Sequence, residues 1–92
     1  MDVKHDKDHT RFHAATGSGE ATLDYAMPDD RTLDIRSTFV PPAARGQGFG
    51  AAIVLHVLGY ARQNGYRVIP TCPFVHRVLD ENPGYEDLIA TR

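Results

Sequence analysis

The chain has 92 residues, 41% of them hydrophobic, with 10 Lys+Arg against 12 Asp+Glu and a net charge of −2. This length fits one small domain that buries roughly 60–65% of its unfolded surface, and the composition excludes a disordered chain. The slight acidic excess excludes general binding to the backbone of nucleic acid, which needs a basic surplus.

Met1 to Asp8 is polar and reads as a frayed lead-in, and Met1 to Thr10 holds no apolar segment of a secretion signal. His5, His9 and His13 recur every four residues with Asp6 and Asp8 between them. Imidazole and carboxylate together are metal chemistry, but nothing downstream completes a site, so the expectation is a solvated segment and no metal.

Arg11 to Ala15 is a short strand, followed by turn chemistry at Gly17-Ser18-Gly19. In Glu20 to Met27 the residues Leu23, Tyr25 and Met27 point one way and Thr22, Asp24 and Ala26 the other. That period of two marks a half-buried strand. Pro28-Asp29-Asp30 turns the chain into Arg31 to Val40, where Leu33, Ile35 and Phe39 share a face. Two hairpin turns between three alternating runs predict an antiparallel meander.

Pro41-Pro42 ends the third strand, because proline cannot donate a ladder hydrogen bond. After a glycine-rich loop, Ile53, Val54, Val57, Leu58 and Ala61 fall at helical spacing until Asn64-Gly65 stops the helix. Its most apolar stretch, Ala51 to Leu58, is interrupted by His56 and is far shorter than the roughly 20 residues that span a bilayer, so no membrane partner is expected. His56 itself reads as a helix-surface residue. Tyr66 to Thr71 is a short apolar strand. Reached through a crossover helix, it should lie parallel to the Arg31–Val40 strand. Pro73 opens a second helix to about Glu81, Asn82-Pro83-Gly84 breaks it, and Tyr85 to Ala90 allows one more helical turn. The order β-β-β-α-β-α predicts a single α/β (α+β) domain over residues 1–92, with a mixed, mainly antiparallel sheet packed by two helices.

The most informative segment is the loop Arg45-Gly46-Gln47-Gly48-Phe49-Gly50, between a strand and a helix. Small residues let main-chain N–H groups converge, and the helix start adds unpaired donors and the positive end of its dipole. The result is an anion site suited to a phosphate or diphosphate. The nucleotide P-loop needs a Lys after its glycine, which is missing here. A dinucleotide fingerprint is matched loosely by Gly46-x-Gly48-x-x-Ala51, but Val68-Ile69-Pro70-Thr71-Cys72 supplies no acid where one belongs. A plain strand-to-helix connection would need fewer glycines.

Arg45-Gly46-Gln47-Gly48-Phe49-Gly50 matches the pattern Arg/Gln-x-x-Gly-x-Gly/Ala. With Thr38-Phe39-Val40-Pro41 before it and Thr71-Cys72-Pro73-Phe74-Val75 after the next strand, the sequence resembles the Gcn5-related N-acetyltransferases, and more narrowly their short, single-domain YjdJ-type branch. The resemblance covers about Glu20 to Leu88. It implies a truncated acetyltransferase fold, acetyl-CoA or coenzyme A as cofactor, and acetyl transfer to an amine acceptor, a small molecule or a peptide. It implies a diphosphate held by Gln47 to Gly50, with Arg45 and Gly46 in the same motif, and a pantetheine arm paired with the main chain near Val40. The Glu often found on the strand before the loop is absent, since Arg36, Ser37, Thr38 and Phe39 stand there. The Tyr often found on the second helix is absent too, since that helix reads Phe74, Val75, His76, Arg77 and Val78. Asp34 and Tyr85 are substitutes.

Cys72 is the only cysteine, so no intramolecular disulfide can form, and a cytoplasmic setting is expected. It directly precedes the Pro73 helix, where the dipole and N–H donors favour a thiolate. His76 lies one helical turn on. The two are the candidate catalytic pair, with Cys72 either accepting the acetyl group or lying beside the CoA sulfur; the bland alternative is a small buried residue. A non-catalytic module that binds acetyl-CoA or CoA is the alternative function, and the missing Glu and Tyr favour it.

Overall fold

A computed structural model describes residues 1–90 of the chain. Five strands form one sheet in sequence order: β1 (Lys4–Asp6), β2 (Arg11–Ala15), β3 (Glu20–Asp29), β4 (Thr32–Phe39) and β5 (Arg67–Pro70). The first four pair antiparallel and β5 runs parallel to β4, joined by helix α1 (Phe49–Asn64). Helix α2 (Pro73–Glu81) and a 3-10 turn at Glu86–Leu88 follow. The mixed, mainly antiparallel sheet with two helices is the expected fold class, with one strand more than expected.

That extra strand corrects the reading of Met1 to Asp8 as a frayed lead-in. Lys4, His5 and Asp6 pair with His13, Phe12 and Arg11. The three histidines separate. The His5 ring stacks on Phe12 at 3.9 Å between centroids and bonds the Tyr25 hydroxyl at 2.6 Å. His9 faces Asp6 and His13 faces Glu20. A polar sequence thus enters the sheet because His5, which it turns inward, is an aromatic ring with a hydrogen-bond partner, and Val3, just before the strand, packs against the core. Tyr60 meets both His5 and Phe12 edge-on, and Tyr66 meets Tyr60. His56 is exposed, its ring edge-on to Phe12.

One sheet face carries the core. Phe12, Leu23, Leu33, Ile35 and Val68 are fully buried, against Ile53, Val54, Val57, Leu58 and Ala61 of α1 and Val75 of α2. Burying each large aliphatic side chain contributes about 1.5–3 kcal/mol. Gly65 ends α1 at φ 70°, a left-handed conformation that glycine takes without a Cβ penalty. Outer-face side chains pair across the strands, Arg11 with Asp24 at 2.6 Å and Asp34 with Thr71.

The strand β4 is not a continuous alternation. Asp24 pairs with Ser37 but Tyr25 pairs with Ile35, which leaves Arg36 as an extra residue. A bulge of this kind reverses which residues face the core. Leu33 and Ile35 point inward, Thr38 takes the inward side opposite Leu23, and Phe39 pairs with Thr22 and is 50% exposed. The expectation that Phe39 shares a face with Leu33 and Ile35 is therefore wrong.

Candidate functional site

Pairing between β4 and β5 runs from Thr32–Arg67 to Ile35–Pro70. Its last bond is the Cys72 N–H to the Ile35 carbonyl, at 2.9 Å. The bulge at Arg36 comes next, and among the described residues no further ladder bond joins β4 to β5 beyond it. A cleft of about 560 Å³ lies past this point. Thr38, Phe39 and Val40 form one side, the glycine loop and the first turn of α1 another, and Phe74 and Arg77 of α2 the third.

The loop is built by two left-handed glycines, Gly46 at φ 81° and Gly48 at φ 87°. Most other residues would be strained there by about 1–2 kcal/mol. Gly48 is the N-cap of α1, and the first helical bond is Ala52 N–H to its carbonyl at 3.0 Å. Among the described residues, no acceptor bonds the main-chain N–H groups of Gly46 through Ala51. These donors and the helix dipole favour an anion. Gly50 has a different role. A Cβ there would lie 3.0 Å from the Phe74 ring and 3.5 Å from a Val40 methyl, so this glycine lets the start of α2 close against the start of α1.

Arg45 is held in place. Its Nε donates to the Val40 carbonyl at 2.9 Å and its guanidinium lies 5.9 Å from the centre of the Phe39 ring. Among the described residues the cleft lining holds two cations, Arg45 and Arg77, and no Asp or Glu. In a chain where acids outnumber bases, that is a local inversion of charge.

Of the residues expected from sequence, Val40, Arg45, Gly46, Gly48, Phe49 and Gly50 line the cleft. Gln47 is exposed and contributes no lining side chain, although its N–H belongs to the free run. Cys72 and His76 are not brought together. Cys72 is buried, at 6% exposure, and its Sγ lies 3.7 Å from the Thr38 hydroxyl. The buried stripe of α2 passes through Val75 and Val78, and His76 is one position around from it, facing solvent. No hydrogen bond joins His76 to the thiol among the described residues. Tyr85 packs under the Arg62 guanidinium, 5.7 Å from ring centre to carbon. Thr38, Phe74 and Arg77 line the cleft without having been singled out as binding residues. The bulge decides Thr38 and the helix contact decides the other two, and neither leaves a local signal in the sequence.

The model of the GCN5-related N-acetyltransferase family matches residues 11–88. Protein NATD1 of Bos taurus is 28% identical over 83 residues, covering 88% of this chain and 74% of the relative's length. Protein NATD1 of Homo sapiens is 26% identical with the same coverage of both chains. The NMR solution structure of a GCN5-like protein from Staphylococcus aureus superposes with a TM-score of 0.73, at 24% identity, covering 99% of this chain and 89% of that one. With a family match over most of the described strands and both helices, and with the fold shared along nearly its whole length, the chain belongs to the GCN5-related N-acetyltransferase family.

Proposed function

We propose that this protein binds acetyl-CoA in the cleft and directs its acetyl group to an amine acceptor, a small molecule or a peptide. The observation that carries this reading is the lining: among the described residues, a run of free main-chain donors and two arginines, with no carboxylate to repel an anion. The N–H groups of Gly46 through Ala51 would hold the diphosphate, and the end of β4 near Val40 would border the pantetheine arm. Acetyl-CoA supplies an activated acetyl thioester when bound.

The chain's own groups must orient the acceptor and take its proton. Asp34 stands on the outer sheet face where β4 and β5 part, and the Thr71 hydroxyl donates to its carboxylate. It is assigned here as the proton acceptor. Cys72 is assigned a place beside the CoA sulfur, behind Thr38, in preference to the covalent role. The burial of its thiol and the solvent-facing position of His76 support this choice. The same two facts favour the second reading, a module that binds CoA species without turnover.

Thermal shifts with acetyl-CoA, CoA, NAD and ATP test the cofactor. A CoA species at 100 times its dissociation constant should add about 2.7 kcal/mol of stability, and NAD and ATP should add little. A larger shift with NAD would refute the reading. Intact-mass analysis after incubation with acetyl-CoA tests Cys72. No adduct is expected. An acetyl adduct on the wild type that is absent from Cys72→Ala would restore the covalent role.

A further inference from the structure

The walls of the cleft carry different chemistry. One is main chain, the free N–H groups of the loop and the first turn of α1. The adjoining wall is α2, and its charged contribution to the lining is Arg77. The position of Arg77 follows from Phe74. The Phe74 ring lies against Gly50, with ring atoms 3.0 and 3.1 Å from where a Cβ would stand. This contact locks one face of α2 against the start of α1. Residues three apart share a helix face, about 4.5 Å apart along the axis. Long helical side chains lean toward the N-terminus, so Arg77 leans back over Phe74 toward the loop.

Arg77 is also uncommitted. It takes part in no ion pair and no side-chain hydrogen bond among the described residues, although Asp80 and Glu81 follow it on the same helix. The other cation at the cleft is engaged, because Arg45 already donates to Val40 and packs on Phe39. Main-chain donors shape a diphosphate site but carry no net charge, whereas a guanidinium offers a full charge and parallel donors that match phosphate oxygens.

We propose that Arg77 is a binding residue for the diphosphate of CoA, meeting it from α2 while the loop holds it from the adjoining wall. This rests on the reading of the cleft as the acetyl-CoA site. The test is calorimetric titration of wild type, Arg77→Ala and Arg77→Lys with CoA and with 3′-dephospho-CoA. NMR titration with S-acetyl-pantetheine, which has no phosphate, completes it. Arg77→Ala should bind CoA and dephospho-CoA more weakly by the same factor, about tenfold to a hundredfold. Its binding of acetyl-pantetheine and its melting temperature without ligand should match wild type, and Arg77→Lys should recover part of the loss. Wild-type CoA affinity in Arg77→Ala would overturn the proposal while leaving the cleft reading intact. A loss seen with CoA but not with dephospho-CoA would move Arg77 to the 3′-phosphate and overturn the diphosphate assignment. Failure of the wild type to bind any CoA species would remove both readings together.

Discussion

The first turn of α1 and its second half make contrasting surroundings, about 15 Å apart along one helix from Gly50 to Tyr60. Around Tyr60, rings close on one another and the polar atoms of His5 and Tyr25 satisfy each other. Around Gly50, main-chain donors are left free and Arg77 has no partner among the described residues. Unpaired donors weaken a fold only where water cannot reach them, and the cleft is open to water. The molecule therefore places its cohesion at one end of the helix and its binding capacity at the other. The two can be changed separately.

Phe12→Ala should produce the largest effect. Phe12 is fully buried in the aromatic corner, and its loss should cost about 3–5 kcal/mol in urea unfolding. CoA binding by the folded fraction should change by less than about 0.5 kcal/mol, since distant sites act independently. If Phe12→Ala does not fold, Phe12→Leu gives the same comparison in milder form. A large change in CoA affinity would break the division between the two ends.

Gly48→Glu should do the reverse. A carboxylate beside the anion site should weaken CoA by at least about a hundredfold, or 2.7 kcal/mol, in calorimetry. The left-handed φ of 87° adds strain, so Gly48→Ala serves as the control that carries strain without charge. Equal losses in the two variants would mean that backbone shape, not charge, explains the effect.

Gly50→Ala tests the contact that joins the regions. Its Cβ would press on Phe74, an overpacking cost that the better helix propensity of alanine offsets in part, leaving about 1 kcal/mol of destabilisation. Phe74→Leu in the same chain should relieve it. Additive effects of the two changes in thermal unfolding would show that the ring and the glycine do not constrain each other.

The smallest effect concerns pH. Burial holds His5 below the ordinary histidine range, helped by the nearby charges of Lys7 and His56 and opposed by Asp6. The folded state thus favours the neutral ring. Its contribution is complete above the unfolded value of about 6.5 and is lost as pH falls through the lower folded value. Asp87, held low first by its hydrogen bond from Arg62, loses its own contribution only at more acidic pH. Urea midpoints between pH 7.5 and pH 5 should fall more for wild type than for His5→Phe. Equal slopes would mean that the corner does not sense protonation.

Much of the frame can be read from residue order alone. Alternation marks β2, β3 and the first half of β4, and three- and four-residue spacing marks α1, because each pattern reports one buried face. Gly65 and Pro73 mark a helix end and a helix start for local steric reasons. The loop is legible because its glycines have few other uses. Three features are not. β1 has no apolar alternation, since its inward residue is His5. The Arg36 bulge leaves no trace in composition, so Phe39 looks inward when it is not. Cys72 and His76 have the spacing of a pair, yet the stripe that α2 buries turns one in and the other out. Arg77 looks like any solvated helix residue until the Phe74 contact sets the orientation of α2.

The margins of the sheet bear on how copies of this chain behave at high concentration. An open strand edge is a template on which another strand can add. Here one margin is β1, only three residues long and bearing Lys4 and Asp6. The other is β5, four residues ending in Pro70, whose Val68 carbonyl accepts from Ala90 at 2.8 Å. Short length, charge, proline and a covering segment each discourage strand addition. The protein is thereby guarded against self-association through its sheet even though it is small.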